Sequence, residues 1–362
     1  MTPKMTPGFS FRSLFMSLAV VSVSLTCAYA DANGSKIAAY PGLPGDGGFP
    51  GFGNLPGLGG FPGTSQPSEA ADGANKSGTF SNEAGSRAYT VFVPKQPAAH
   101  PGMLVILHGC IQTGANMATG TQMNSLAAKK GFLVLYPEQT YQDNNLKCWN
   151  WYQPENQQRG GELSILAGMA QDVASTYQVD LKQIYVAGLS AGGAMAANLL
   201  ACYSDVFAGG LIHSGLEFAA AQSQNEAQLA MSNGASKDLN ETSARALKCS
   251  PPRSKLIPVI VIQGKDDHVV STVNSGRIAT FFELLNGLID STQQITHSDH
   301  HLNEAGKLAA DETDTLFGDK VLVKKIMVDG MGHAWSGGQS GGSYMEPRGP
   351  SASQILVDTF FN

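Results

Sequence analysis

The chain has 362 residues, of which 42% are hydrophobic and 14% are charged, so it carries enough apolar material for one large core. Its formal net charge is −6 at pH 7, and its basic residues form no cluster. This mild acidity argues against proteins that bind nucleic acid or anionic membrane surfaces, so neither is an expected partner. The sequence gives no indication of an oligomeric state.

Residues 1–30 have the pattern of a secretory signal peptide. Lys4 and Arg12 precede an uncharged apolar run over residues 13–25, and an Ala-Tyr-Ala sequence follows at the cleavage positions. Cleavage is therefore expected before Asp31. The apolar run is too short for a membrane anchor, so we predict a secreted protein, extracellular or periplasmic, without integral membrane association.

Residues 31–76 form a low-complexity segment rich in Gly and Pro. Within it a six-residue pattern places one apolar residue before each Pro-Gly pair, at Leu43, Phe49, Leu55 and Phe61. Pro-Gly favours turns, and one apolar residue per repeat cannot build a core. We predict a disordered spacer here, and the alternative is that the regularly spaced Leu and Phe adhere to an apolar surface.

Strand-like and helix-like segments alternate from residue 77 to residue 362. Apolar runs predict strands at residues 88–93, 103–107, 132–136, 184–187, 206–212, 256–262 and 321–328. Helical patterns cover residues 123–130, 163–177, 278–285 and 352–361. Continuous apolar strands are typical of a parallel sheet covered on both faces. We therefore predict a single catalytic domain of the α/β class, with a mostly parallel sheet and helices on both faces.

A nucleophile motif lies between a predicted strand and a predicted helix, at residues 188–192 (Gly-Leu-Ser-Ala-Gly). A Gly-x-Ser-x-Gly turn holds its serine in a strained conformation above the carboxyl edge of a sheet, and the helix that follows points N–H groups at the same place. The glycines are needed because side chains at those positions would collide. The sequence therefore predicts Ser190 as a catalytic nucleophile, with an ordinary glycine-rich turn as the alternative.

A serine nucleophile needs a base within reach and a carboxylate that orients the base, and in the α/β-hydrolase order both follow the serine along the chain. Asp267 comes just past a predicted strand and is the predicted acid, with Asp266 as the alternative. His333 lies in a glycine-rich loop after the last clear strand and is the predicted general base. His268 adjoins the acid, and His213, inside an apolar segment, suits a structural role better.

A polar insertion between residues 286 and 320 contains His297, His300 and His301 around Asp299. Such a group could hold a metal ion, but close spacing in a segment predicted to be a flexible loop is weak support for a site. We therefore predict neither a metal site nor a cofactor.

An oxyanion hole requires two backbone N–H donors. We predict Ala191, directly after the nucleophile, and Cys110, in the loop that follows an early strand. In an oxidising compartment Cys110, Cys148, Cys202 and Cys249 are expected to form two disulfides, for which the sequence allows three pairings. We favour Cys110–Cys148 with Cys202–Cys249, because the first bridge would hold the Cys110 donor rigid.

Two tryptophans are candidate substrate contacts. Trp149 follows Cys148 in an aromatic group, and Trp335 lies two residues past His333. If both line the cleft, its aromatic walls suit an apolar ester chain better than a sugar or a charged peptide, whereas the alternative for both residues is core packing.

Five motifs occur in the same order as in a known family, at residues 107–112, 136–140, 148–152, 186–195 and 332–338. From about residue 88 onward, the chain closely resembles the polyhydroxyalkanoate (PHB) depolymerases and the esterases grouped with them. The resemblance implies an α/β-hydrolase fold and hydrolysis of 3-hydroxyacid polyesters. It also implies a triad of Ser190, Asp267 and His333, because the family's acid lies three residues after the glycine that is here Gly264. In similar enzymes the cysteine after His-Gly is disulfide-bonded and supplies an oxyanion N–H, which supports Cys110.

The function predicted from this resemblance is a secreted serine esterase for short-chain poly(3-hydroxyalkanoate), such as poly(3-hydroxybutyrate), or its oligomers. Some relatives with this catalytic domain cleave feruloyl or acetyl groups from plant polysaccharides, so a carbohydrate esterase is the alternative. A non-catalytic module that adheres to hydrophobic polymer is a third hypothesis, which the complete set of serine, acid, histidine and oxyanion loop disfavours.

Overall fold

A sheet with parallel strands at its centre and antiparallel strands at both sides organises the chain. The structure is a computed structural model that describes residues 71–251 and 255–362. The predicted signal peptide and the Pro-Gly repeats lie outside these residues. The strands are β1 Gly73–Asn82, β2 Gly85–Pro94, β3 Met103–Leu107, β4 Leu133–Pro137, β5 Ile184–Leu189, β6 Gly209–His213, β7 Val259–Gly264, β8 Ile295–Leu302, β9 Ala310–Phe317, β10 Lys320–Val328, β11 Trp335–Ser336 and β12 Met345–Glu346.

The helices that connect and cover these strands are α1 Gly114–Thr121, α2 Met123–Lys130, α3 Gly161–Thr176, α4 Ala191–Cys202, α5 Gln224–Asn233, α6 Leu239–Cys249, α7 Val273–Ile289 and α8 Ala352–Phe360. A single 3₁₀ turn at Pro154–Gln157 precedes α3. Within the described residues, no helix has both the length and the apolar content needed to cross a membrane.

The strand order of the large sheet is β1-β2-β4-β3-β5-β6-β7-β10-β9-β8. The strands from β4 to β10 in this order pair in parallel, whereas β1 and β2 at one side and β9 and β8 at the other pair antiparallel. This arrangement confirms the predicted α/β-hydrolase type of fold, with a mostly parallel sheet.

Alternate residues of the central strands enter two different cores, which explains why these strands are apolar throughout. In β3, Met103, Val105 and Leu107 pack on one side of the sheet, and Leu104 and Ile106 pack on the other. Buried residues of α3, α4, α6 and α7 belong to the first core, and those of α1, α2 and α8 belong to the second. The helices therefore lie on both faces, as predicted.

The predicted boundary between spacer and domain, at residues 76 and 77, is wrong, because it falls inside β1. This strand pairs with β2 along its whole length, from Gly73 opposite Pro94 to Asn82 opposite Gly85. Most of its side chains are exposed, so its composition is polar and small and resembles that of the spacer. The folded chain therefore includes residues that the sequence pattern assigned to the low-complexity segment.

The polar insertion between residues 286 and 320 is also not the flexible loop that the sequence predicted. It contains the hairpin of β8 and β9, whose second strand pairs with β10 and extends the sheet. β8 is an edge strand with mostly exposed side chains, so it needs no apolar alternation and its pattern resembles that of a loop.

Candidate active site

The loops that carry the predicted functional residues follow parallel strands and meet at one edge of the sheet. Cys110 follows β3, Ser190 follows β5, Asp267 follows β7 and His333 follows β10. Ligand sites in α/β sheets lie at this carboxyl edge, because the chain turns outward there into loops. The fold thus brings together residues that are up to 223 positions apart in the sequence.

Ser190 occupies the sharp turn that the motif predicted. Its φ of 59° and ψ of −121° are strained for a residue with a side chain, and the residue directly precedes α4. A Cβ on Gly188 would lie 2.2 Å from the carbonyl oxygen of Gly192, and a Cβ on Gly192 would lie 2.3 Å from that of Leu107. The two glycines are therefore required by the close approach of backbone on both sides of the serine.

Asp267 and His333 form a buried pair. His333 Nδ1 lies 2.8 Å from Asp267 Oδ2, and the two side chains are 7% and 0% exposed. The N–H groups of Val269 and Val270 both donate to Asp267 Oδ1 at 2.9 Å, and Gln263 Nε2 donates to Oδ2 at 3.2 Å. Burial alone would raise the pKa of Asp267, but the neighbouring His333 and the N–H groups of Val270 and Val269 outweigh it, so the pKa lies below its ordinary value.

The alternative acid, Asp266, and the neighbouring His268 are both exposed, so the loop turns only Asp267 inward. The backbone N–H of Asp266 instead donates to the carbonyl oxygen of Met331 at 3.0 Å. This bond fastens the acid loop to the loop that carries His333. An Asp267 carboxylate in this position keeps the Nδ1 proton on the imidazole and leaves Nε2 as the free base.

His213 connects the serine turn to the histidine loop. Its carbonyl oxygen accepts the N–H of Ser190 at 2.9 Å, and its Nε2 accepts the N–H of Ser336 at 3.0 Å. The ring is fully buried, lies 3.1 Å from Ser214 Oγ through Nδ1, and stacks on Trp335. Burial lowers the pKa of His213 to about 3, so the imidazole is neutral. This is the structural role that the sequence favoured for it.

Ser190 and His333 are not hydrogen-bonded to each other in the structure. Hydrogen bonds between catalytic groups commonly tighten only when substrate is bound. The coupling of the two loops through His213 fixes their relative position without that bond.

The oxyanion loop lies directly against the serine. A Cβ on Gly109 would be 3.4 Å from Ser190 Cβ, so the loop that carries Cys110 and the serine turn are in contact. Among the residues that the structure describes, none accepts a hydrogen bond from the N–H of Cys110 or of Ala191. Both groups are therefore free to donate to a developing oxyanion.

Both favoured disulfides are present. Cys110 is bonded to Cys148, which tethers the oxyanion loop, and Cys202 is bonded to Cys249, which joins the end of α4 to the end of α6.

A buried polar network supports the oxyanion loop from below. His108 Nδ1 donates to the carbonyl oxygen of Gly109 at 2.7 Å, and His108 Nε2 accepts the N–H of Gln139 at 3.0 Å. The Gln139 amide in turn donates to Glu162 Oε1 at 2.5 Å and to the carbonyl oxygen of Cys148 at 3.1 Å. The network thus links the sequence motifs at residues 107–112, 136–140 and 148–152. The residue types alone did not reveal that these motifs are in contact.

The prediction that Trp149 and Trp335 wall the cleft is wrong, because both side chains are 0% exposed. Trp149 Nε1 donates to the carbonyl oxygen of His108 at 3.1 Å, and Trp335 Nε1 donates to Ser353 Oγ at 3.1 Å. Each indole therefore packs beneath the site and supports a loop, and neither can touch a substrate in this conformation.

Ile111 and Tyr344 are the side chains beside the site that sequence reasoning missed. Ile111 directly follows the predicted oxyanion donor and is 42% exposed. The Tyr344 ring meets the His333 ring edge-on, with 6.3 Å between centroids. Both residues have a positive φ, of 58° and 56°, which is rare for side chains of this size. No sequence pattern marks such backbone conformations.

The three histidines of the polar insertion, His297, His300 and His301, lie on β8. Among described residues, His300, Glu312 and Asp314 bring potential ligand atoms within 4.8 Å of one another. However, Lys324 Nζ already donates to Glu312 and, at 2.7 Å, to Asp314 Oδ1. The positive charge for these carboxylates is thus supplied by the protein itself.

The sheet topology and the serine turn define a protein of the α/β-hydrolase class. The chain belongs to the family described as Esterase PHB depolymerase, whose pattern matches residues 87–301. This family membership agrees with the resemblance found in the sequence motifs.

Several curated relatives are similar to parts of the chain. Poly(3-hydroxyalkanoate) depolymerase C of Paucimonas lemoignei is 29% identical over 262 residues, which cover 70% of this chain and 60% of that protein. Probable acetylxylan esterase A of Aspergillus clavatus is 33% identical over 35% of this chain and 41% of its own length. Feruloyl esterase B of Neurospora crassa is 33% identical over 38% of this chain and 47% of its own length. The chain therefore spans less than two thirds of each of these relatives.

Among solved structures, the acetyl xylan esterase from Aspergillus awamori has a TM-score of 0.59 at 20% identity, over 68% of this chain and 89% of that chain. This likeness shows a shared fold.

Proposed function

We propose that this protein is a secreted serine esterase that hydrolyses short-chain poly(3-hydroxyalkanoate), such as poly(3-hydroxybutyrate), or its oligomers. The observation that carries the proposal is the buried pair of Asp267 and His333 at the same sheet edge as the strained Ser190. Secretion is supported by the predicted signal peptide and by the two disulfides, since disulfides persist in oxidising compartments.

In the proposed reaction, Ser190 Oγ attacks the ester carbonyl carbon while His333 Nε2 takes the hydroxyl proton. The N–H groups of Cys110 and Ala191 hold the oxyanion of the tetrahedral intermediate. His333 then gives the proton to the departing alkoxide, so an alcohol leaves and an acyl-serine remains. Water attacks the acyl-serine with His333 again as base, and the free acid is released as Ser190 recovers its proton.

A polyester substrate is supported by two uncharged side chains next to the proposed oxyanion donor and base. The Ile111 side chain is exposed next to the oxyanion donor, and the Tyr344 ring lies next to the base. Neither side chain carries a charge, which suits the uncharged ester chain of a hydroxyacid polyester and its short alkyl groups. The depolymerase relative also matches 70% of this chain.

A carbohydrate esterase is the second candidate, and the names of relatives favour it. Proteins named as acetylxylan and feruloyl esterases are 33% identical over more than a third of the chain. Both candidates use the same serine chemistry and differ only in the group that enters the cleft.

The test compares mature protein and Ser190→Ala on an amorphous poly(3-hydroxybutyrate) suspension, a soluble short-chain aryl ester, acetylated xylan and a feruloylated sugar. We expect clearing of the suspension and hydrolysis of the aryl ester, both lowered at least ~10³-fold in the folded variant. Hydrolysis of the plant esters without clearing would favour the second candidate. Substantial residual turnover by Ser190→Ala would remove Ser190 from its role.

A further inference from the structure

One side chain joins the two loops that flank the proposed oxyanion hole and base. Gln112 is 1% exposed, and its amide oxygen accepts the N–H of Gly109 at 2.8 Å. Its amide nitrogen donates to the carbonyl oxygen of Ser343 at 2.7 Å and lies 3.3 Å from Ser343 Oγ. A single side-chain amide therefore links Gly109 to Ser343, which lies 231 positions after Gln112 in the chain.

At its first end, the bridge fixes the peptide group that precedes the oxyanion donor. The Gln112 side chain holds the N–H of Gly109, and the Gln112 backbone N–H donates to the Gly109 carbonyl oxygen at 3.3 Å. The N–H of Cys110 belongs to the peptide unit that contains this same carbonyl. His108 Nδ1 also donates to this carbonyl, at 2.7 Å. The Gln112 side chain adds the hold on the Gly109 N–H, so Gly109 is fixed at both its N–H and its carbonyl, which sets the direction in which the Cys110 N–H points.

At its second end, the bridge holds the residue before Tyr344. Tyr344 keeps a φ of 56°, and its carbonyl oxygen accepts the N–H of Trp335 at 2.8 Å. Residues in such strained conformations persist only where the surrounding bonds fix them. The bond from Gln112 to Ser343 is one of these, and it acts one residue before Tyr344, whose ring meets the His333 ring edge-on.

The segment that contains Ser343 has further attachments that do not involve the bridge. The N–H of Gln339 donates to the carbonyl oxygen of Gly120 at 2.8 Å, and the N–H of Gly337 donates to that of Glu346 at 2.8 Å. Loss of the bridge should therefore loosen the alignment of the two loops and leave the fold in place.

We infer that Gln112 is a positioning residue that aligns the oxyanion donor with the Tyr344 and His333 side of the site. The inference rests on the proposed serine esterase function. Gln112 itself touches none of the reacting groups, and its effect on the reaction passes through the Cys110 N–H and Tyr344.

The experiment measures kcat and KM for a soluble aryl ester with wild type, Gln112→Met and Gln112→Glu between pH 6 and pH 8.5. Methionine has similar volume and cannot form either bond. We expect Gln112→Met to lower kcat by about tenfold or more, which is less than the ~10²–10³-fold lost when an oxyanion donor is removed, because the Cys110 N–H is only misaligned. KM should change less than about threefold.

The glutamate variant tests the bridge by partial rescue. A protonated carboxyl can accept the Gly109 N–H through one oxygen and donate its O–H to the Ser343 carbonyl, whereas a carboxylate would repel that carbonyl. The ratio of kcat/KM for Gln112→Glu to that of wild type should therefore rise as the pH falls. The same ratio for Gln112→Met should stay flat.

The other charged and titratable groups around the bridge do not obscure the pH dependence of these kcat/KM ratios. Burial lowers the pKa of His108, which favours its neutral form, and burial raises the pKa of Tyr344, so the phenol stays uncharged up to pH 8.5. His333 and the ion pair of Glu138 with Lys147 are common to variant and wild type, so their effects cancel in the ratio.

Asn286→Leu is the matched control. Asn286 is also a fully buried amide, and it accepts the N–H of Ile257 at 2.8 Å and donates to the Ile257 carbonyl at 3.0 Å. Ile257 precedes β7, so this bridge lies at the opposite sheet edge from the proposed site. We expect its loss to lower the melting temperature and to leave kcat of the folded protein within about twofold of wild type, as for a change far from the chemistry.

Three outcomes would overturn the inference: wild-type kcat in Gln112→Met, a flat pH ratio for Gln112→Glu, or an equal loss of kcat in Asn286→Leu. Labelling of wild type at Ser190 by a serine-reactive phosphonate is measured alongside. Wild type that is not labelled contradicts the proposed function itself. Wild type that is labelled, with Gln112 variants of unchanged kcat, contradicts only the inference about Gln112.

Discussion

His213 should make the folded protein lose stability in acid, beginning at pH values well above those at which carboxylates titrate. Its imidazole is completely buried, and burial lowers its pKa to about 3 from an ordinary value of 6.5. In the unfolded chain the same imidazole takes up a proton once the pH falls below about 6.5. The unfolded state therefore binds more protons than the folded state between these two values, and the folded state loses stability as the pH falls.

The size of this loss follows from the shift. Each pH unit between 6 and 4 should lower the free energy of unfolding by up to about 1.4 kcal/mol for this residue. Between pH 7 and pH 4 the total is about 3 kcal/mol, which is a large part of the 5–15 kcal/mol by which a typical domain is stable.

The assay is urea unfolding of wild type and His213→Gln at pH 7, 6, 5 and 4. Glutamine can accept the N–H of Ser336 through its amide oxygen and does not titrate, although it loses the stacking on Trp335. We expect the variant to be less stable at pH 7 and to lose stability with a slope shallower by about one proton. The exposed His268, changed to Gln, serves as control and should keep the wild-type slope. Parallel slopes for wild type and His213→Gln would refute the reasoning.

Two further predictions concern the triad and the disulfides. Asp267→Asn should lower kcat by about 10²–10⁴-fold in a folded protein, because an amide can stabilise the wrong imidazole tautomer; wild-type kcat would contradict the assignment of the acid. The two disulfides span similar sequence separations, 38 and 47 residues, so removing either by paired Cys→Ala changes should cost a similar ~3–4 kcal/mol. Only loss of Cys110–Cys148 should also lower kcat of the folded protein, because only that bridge holds an oxyanion donor. Equal kcat for the pairs lacking Cys110–Cys148 and Cys202–Cys249 would show that the tether is not needed.

The serine turn and the central strands could be predicted because short-range constraints determine them. The glycines on either side of Ser190 are dictated by backbone contacts within a few residues, and the apolar runs follow from burial of both sheet faces. The position just past a predicted strand led to Asp267 with Asp266 as the alternative, and the family resemblance pointed to Asp267 as well. In the structure Asp267 is buried and Asp266 is exposed.

Other features depend on partners that are distant in sequence. Whether Trp335 faces substrate or core is decided by Ser353 on α8 and by His213 at the end of β6, and no local pattern reveals either contact. The edge strands β1 and β8 were missed because polar, exposed strands lack the apolar periodicity on which the prediction relied. The glycine-containing helix α1 was missed as well, although the reciprocal bonds between Thr113 and Asn116 cap it.

The β8–β9 hairpin affects how easily the strand that leads to His333 can unfold locally. Because β9 pairs with β10 along almost its whole length, β10 is an interior strand with β7 on its other side. A local opening that releases the base must therefore break two hydrogen-bond ladders, whereas an edge strand would have to break only one. The segment that looked like an insertion thus raises the free energy of local unfolding at the strand that supports the histidine loop.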